Sequence, residues 1–267
     1  MDWWTGFDKK MADYLPDLKI TAEEPMSRHT SFHIGGPARR MAFPTTGAQM
    51  ALLMSFAAEC GARPLVIGKG TNLLCPDGGL DRLVVETSGL SRLEMGTEPD
   101  TVLAEAGVSL ARLADFACKA GLTGLEFAHG IPGSVGGGVC MNAGAYGGEM
   151  KQVVSGVSVL FPEEGMKFFS GEEMDFGYRH SLLTDHPEAV VLHALFRLTP
   201  GDPESIRVQG PGPEPSAVHM EGKAVFRFAV EVVEQSIRQL LAAEGCEIND
   251  LDLVVCHQAN ARIIDHI

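Results

Sequence analysis

Eight glycines fall between Gly130 and Gly148 in the stretch "HGIPGSVGGGVCMNAGAYGGEM" (129–150), and they restrict what this chain can build there. A flexible linker would be richer in Ser and poorer in Ile, Val and Met. Apolar residues instead alternate with glycine, as expected where a backbone lies against a large flat ligand while its ends pack in a core. A glycine-rich packed turn would satisfy the same pattern. A second loop, "VIGKGTNLL" (66–74), places Gly68 and Gly70 directly after an apolar strand, where backbone N–H groups can approach an anion. It lacks the Gly-x4-Gly-Lys-[Ser/Thr] spacing of a P-loop and the third glycine of a dinucleotide fingerprint. Alone, this loop is equally well explained as a tight turn. Together the two loops point to a diphosphate-linked cofactor, with pyrophosphate on the N–H groups and a ring system against the second loop.

Composition bounds the remaining possibilities. The 267 residues are 45% hydrophobic and 21% charged, which is ordinary for a globular chain of one large or two smaller domains. A formal charge of −14 argues against non-specific nucleic-acid binding, which needs an excess of Lys and Arg. It leaves room for a local basic pocket around a small phosphorylated ligand. Cys60, Cys75, Cys118, Cys140, Cys246 and Cys256 are scattered without a CxxC pair, so reduced thiols are expected and no metal site is. The N-terminus has no basic region followed by an apolar one, and no apolar run reaches about 18 residues. A soluble, cytoplasmic protein without a membrane partner is expected.

Periodicity divides the chain. Residues 1–25 read as a helical lead-in, and "FHIGGPARRMAFPTT" as strand, glycine turn and strand. Thr46 to Cys60 reads as a helix with Met50, Leu53, Met54 and Ala57 on its apolar face and a stop at Gly61. "SLARLADFACKAG" reads as an amphipathic helix from Ser109 to Gly121. "RPLVIG", "RLVVET", 101–106, "VVSGVSVLFP" and "AVVLHALFRLTP" read as strands. Helices and strands mix without strict alternation, so the fold class is α+β. Five prolines and three glycines in "TPGDPESIRVQGPGPEPSA" mark a junction at 201–219. Beyond it, Ala224 to Ala243 forms a helical pattern, and Leu253 to Cys256 a strand that delivers His257 to a turn.

The stretches "RHTSFHIGGPA", "VIGKGTNLL", "LEFAHGIPGSVGGGVCMNAGAYGGEM" and "FGYRHS" give the chain a resemblance, over about residues 20–206, to the UDP-N-acetylenolpyruvoylglucosamine reductase family. The resemblance implies a two-lobed FAD-binding fold of the vanillyl-alcohol-oxidase type across 1–200. It also implies hydride transfer from NADPH through FAD to a UDP-sugar enolpyruvate. The FAD site would comprise Gly68, Lys69, Gly70, Thr71, Asn72 and Leu73 together with Gly130, Ile131, Pro132, Gly133, Ser134, Gly136, Gly137, Asn142, Ala143, Gly144 and Ala145. Tyr178 and Arg179 would stand on the substrate side, with Arg179 stabilising an enolate-like intermediate. By residue type alone that pair reads more readily as a surface pair than a catalytic one, and His129 and His180, with no pairing legible, read as packing or surface histidines.

The family's third, substrate-binding domain, which supplies a serine acid, is not matched after Arg207, and impaired turnover is expected. Residues 220–267 resemble instead a fragment of β-ketoacyl-acyl-carrier-protein synthase III, a partial thiolase-like segment whose specific element is "HQANARI". That resemblance implies a catalytic role for His257, stranded here without its nucleophile. It also implies an acyl-carrier-protein contact at Gln258, Ala259, Asn260, Ala261 and Arg262. Two other readings stay open: a non-catalytic flavin-binding protein, and a carrier-protein-binding remnant.

Overall fold

The computed structural model describes residues 2–201. The expected junction from residue 202 on, the segment 220–267, and the site residues His257, Gln258, Ala259, Asn260, Ala261 and Arg262 lie outside the described residues.

The chain opens with helix α1 (Trp3–Tyr14). A first lobe follows, with β1 (Lys19–Pro25), β2 (Pro37–Phe43), helix α2 (Gly47–Glu59), β3 (Leu65–Ile67) and β4 (Leu80–Glu86). Its four-stranded sheet runs β1-β2-β4-β3, antiparallel at β1–β2 and parallel elsewhere. The second lobe contains β5 (Leu93–Met95), β6 (Thr101–Glu105), α3 (Leu110–Lys119), β7 (Leu122–Thr123), α4 (Val135–Cys140), β8 (Gly144–Ala145) and β9 (Gly148–Glu149). It continues with β10 (Val154–Phe161), β11 (Gly165–Ser170), β12 (Val190–Arg197) and β13 (Thr199–Pro200). Its main sheet is five-stranded and antiparallel, in the order β11-β10-β12-β6-β5. Among the described residues no helix is long and apolar enough to cross a membrane.

Helices α2 and α3 follow their local signals. Thr46 caps α2 by accepting from Gln49 N at 3.1 Å, and Gly61 ends it at φ +72°. Ser109 caps α3 by accepting from Arg112 N at 3.2 Å, and Leu110, Leu113, Ala114 and Ala117 are its buried face. Strand β4 explains the continuous apolar run "LVV". Leu83 and Val85 enter a core shared with α2, α3, β6, β10 and β12, while Val84 enters a smaller cluster with Met26, Met41 and Cys75.

Two sequence expectations are corrected. The lead-in is not helical throughout: Pro16 follows the α1 cap and stops the helix, and Lys19–Pro25 becomes a strand by pairing with β2. "FHI" is not a strand. His33 N donates to Thr30 O at 3.1 Å and the Thr30 hydroxyl to Ile34 O at 3.0 Å, closing a turn with His33 at φ +55°. Within the glycine segment, Val135–Cys140 winds into α4. Glycine costs about 1 kcal/mol per residue in a helix, and packing offsets it. A Cβ on Gly138 would stand 3.0 Å from Met150 Cε and 3.2 Å from Leu110 Cδ2, so glycine lets α4 approach closely without those side chains giving way.

His193 on β12 bonds Ser158 on β10 through Nε2 and Oγ at 2.9 Å, and is in register with Glu105 on β6. Burial pushes its pKa below the ordinary value, with Glu105 opposing and Arg92 assisting. The neutral ring is therefore favoured in the fold, whereas the unfolded chain protonates first. The stability His193 supplies is complete above the unfolded imidazole pKa of about 6.5 and is lost progressively as pH falls from there through the lower folded value. Denaturant midpoints compared at about pH 7.5 and pH 5.5 should fall more for this chain than for His193→Gln.

Candidate functional site

Strand β3 ends at Ile67 and delivers Gly68 to the first glycine loop. A Cβ on Gly68 would lie 2.1 Å from Ser134 Oγ, so the two glycine loops meet at this point. Gly70, at φ +60°, presses on the turn before β2: Ser31 N donates to Gly70 O at 3.2 Å and Ser31 Oγ to Thr71 O at 3.4 Å. The second loop is anchored to the other lobe. Leu110 N donates to Gly133 O at 3.1 Å, Val135 N to Val108 O at 2.8 Å, and Gly136 N to Ala106 O at 2.9 Å. Ser134 is 2% exposed, yet its hydroxyl has no hydrogen-bond partner among the described residues. A buried hydroxyl left unpaired costs about 1–3 kcal/mol.

Residues at the site divide into two groups. Gly68, Lys69, Gly70, Thr71, Asn72 and Leu73 form the first loop; Gly130, Ile131, Pro132, Gly133, Ser134, Gly136 and Gly137 form the second up to α4. A Cβ on Gly130 would meet nothing within 4 Å, so that backbone borders open space. Asn142, Ala143, Gly144 and Ala145 are tied into the protein itself. Ala143 is 7% exposed and bonds Gly138 O and Met150 N, and Gly144–Ala145 pairs with Gly148–Glu149. Burial pushes the Cys140 thiol pKa up, so it stays protonated and is a poor nucleophile.

Tyr178 and Arg179 cap a tight turn closed by reciprocal bonds between Gly177 and His180. Tyr178 is 92% exposed, and the Arg179 guanidinium lies 5.9 Å from its ring centroid. Among the described residues no carboxylate pairs with Arg179, which leaves its fork available for a bidentate anion. His180 and His129, expected to be unpaired, contact Asp185 and Asp115, each at 3.3 Å.

Sequence reading missed the clamp beneath the first loop. His29 lies between Glu86, at 2.6 Å from Nδ1, and Glu24, at 3.1 Å from Nε2, and its carbonyl lies close against Gly70. The hydrogen bond with His29 holds the Glu24 carboxyl below its ordinary pKa, against the opposing effect of burial. "RHTS" was the available signal, but nothing in its spacing names those two glutamates.

Residues 38–167 match the model described as "FAD binding domain". A UDP-N-acetylenolpyruvoylglucosamine reductase of Limosilactobacillus reuteri is 43% identical over 195 residues, spanning 73% of this chain and 64% of its own length. One of Agathobacter rectalis is 42% identical over 212 residues, spanning 75% of this chain and 67% of its own length. The chain belongs to the UDP-N-acetylenolpyruvoylglucosamine reductase family. Within that reductase family, the crystal structure from Thermus caldophilus superposes with a TM-score of 0.58 at 31% identity, covering 70% of this chain and 64% of the other. The mixed α+β reductase fold expected from the sequence is therefore the one observed. This chain spans about two thirds of the length of the reductases it matches.

Proposed function

We propose that this chain binds FAD along the meeting line of its two glycine loops and acts as an NADPH-linked reductase of UDP-N-acetylglucosamine enolpyruvate, a step of peptidoglycan precursor synthesis. The contact of Gly68 with the buried, unpartnered Ser134 hydroxyl carries the reading. Residues present there fit such a cofactor: glycine backbone for a diphosphate, a hydroxyl donor in search of an acceptor, and open space beside Gly130. Bound FAD would supply hydride chemistry, accepting from NADPH and donating to the enolpyruvyl double bond.

The chain's own residues hold and polarise. Backbone N–H groups of Gly68–Leu73 and the Ser134 hydroxyl would fix the diphosphate. Arg179 would take the substrate carboxylate bidentately, where negative charge grows as hydride reaches the β-carbon. Protonation of the α-carbon needs an acid. No residue from Val208 to Ile267 stands in the family's serine motif, so these 267 residues should reduce flavin far better than they turn over substrate.

Residues 220–267 are read as a partial condensing-enzyme segment, on "HQANARI" alone, with His257 stranded and Gln258–Arg262 able to meet an acyl-carrier protein. Capture by immobilised carrier protein, lost in Arg262→Ala, would support that; no capture removes it.

The visible spectrum of purified protein, recorded before and after anaerobic NADPH, tests the main reading. A flavin band that bleaches is the expected result. Protein that cannot be loaded with FAD would overturn the cofactor site. A flavin band that NADPH leaves unchanged would favour a non-catalytic flavin-binding protein.

A further inference from the structure

The Tyr178–Arg179 turn is held from both flanks by the segment that follows the second glycine loop. On its entry side, Asn142 Nδ2 donates to Gly177 O at 2.9 Å and to Glu149 Oε2 at 3.0 Å. Asn142 Oδ1 accepts from Lys151 N at 2.9 Å, so both ends of the amide are engaged and its orientation is unambiguous. On the exit side, Ser181 Oγ donates to Cys140 O at 2.7 Å, at the end of α4, and accepts from Leu183 N at 3.3 Å. Asn142 is 3% exposed and Ser181 is fully buried. Asn142 itself stands at φ +41°, a conformation asparagine tolerates better than most side chains. Arg179, at φ +53° on an exposed turn, has no ion pair among the described residues to fix it. Its location is set through the backbone on either side.

The geometry points to Asn142 as a positioning residue for Arg179, acting through Gly177 with Glu149 orienting the amide, and not as a contact of the cofactor. Asn142 and Ser181 together make the substrate-side turn rigid with respect to the glycine loop. A guanidinium that must meet a carboxylate bidentately depends on such fixing, since small displacements lose the paired geometry. The inference about Arg179's task rests on the proposed reductase function; the inference about what holds the turn does not.

Asn142→Gly is the decisive variant. Glycine accepts the positive φ, so only the amide is lost. Ser181→Ala removes the second anchor independently. Limited trypsinolysis, read by mass spectrometry, reports opening of the turn as cleavage after Arg179, with cleavage after Arg112 in α3 as internal reference. Cleavage at Arg179 should rise about tenfold in both variants while the reference site stays unchanged. FAD content per protein should stay within about twofold in Asn142→Gly, whereas the FAD-loaded protein should bind the enolpyruvyl substrate as weakly as Arg179→Ala. The double variant should be no weaker still. Unchanged cleavage at Arg179, or loss of FAD with the turn still protected, would overturn the proposal. Normal substrate binding by Arg179→Ala would instead sink the reductase reading of that residue, leaving the trypsin result to decide the role of Asn142.

Discussion

Gly70→Ala is expected to destabilise the protein by about 2–5 kcal/mol and to abolish measurable FAD loading. At φ +60° an alanine incurs about 1–2 kcal/mol of left-handed strain. Its Cβ would lie 1.9 Å from the His29 carbonyl oxygen, 2.9 Å from the carbonyl carbon and 3.0 Å from Thr30 Cα. Those are backbone atoms, and the His29 ring is itself held between Glu24 and Glu86, so the turn cannot simply step aside. Overpacking of this kind costs about 1–3 kcal/mol. If the loop yields instead, Gly68 separates from Ser134 and the two halves of the cradle lose their contact. Thermal unfolding should show a midpoint lowered by about 5 °C or more, and the flavin band should be absent after dialysis. Gly78→Ala, where a Cβ meets nothing within 4 Å, is the matched control and should behave as the parent.

Arg179→Ala should leave both FAD binding and bleaching by NADPH intact, while reoxidation by the enolpyruvyl substrate, already slow without the family's serine acid, slows by a further factor of about ten or more. The side chain is exposed, pairs with no carboxylate among the described residues, and its turn is secured by Asn142 and Ser181 rather than by the guanidinium. Removing it therefore costs little stability. Arg179→Lys should recover only part of the loss, because an ammonium cannot reproduce the planar two-point contact. Stopped-flow absorbance separates the two half-reactions. Loss of flavin from Arg179→Ala would show that the residue belongs to the cofactor side.

Much of this architecture was legible locally. Thr46 and Ser109 announce α2 and α3 as caps, and Gly61 ends α2. Apolar strands β10 and β12 stand out because their residues are buried on both faces. The glycine loops stood out because glycine at that density is interleaved with Ile, Val and Met, a pattern that a cofactor cradle and a packed turn share. Other features were hidden. The strand Lys19–Pro25 reads as polar and helical until β2 is beside it, since its burial is slight and its hydrogen bonds come from a partner. α4 runs against helix propensity, and Leu110 and Met150 pack against Gly138 where a side chain would stand. Asn142 is placed in the FAD site by resemblance alone, and only the folded chain shows its amide engaged by Gly177, Glu149 and Lys151.

The sequence by itself determined the fold class, the capped helices, the two glycine loops and the exposed Tyr–Arg pair, because caps, turns and hydrophobic periodicity act between near neighbours. Tertiary structure alone decided that Gly68 would meet Ser134, that His29 would lie between Glu24 and Glu86, and that Asn142 would hold Gly177. Each of those contacts joins segments far apart in the chain, and their geometry is set by the core shared between the two lobes, whose packing no local pattern encodes.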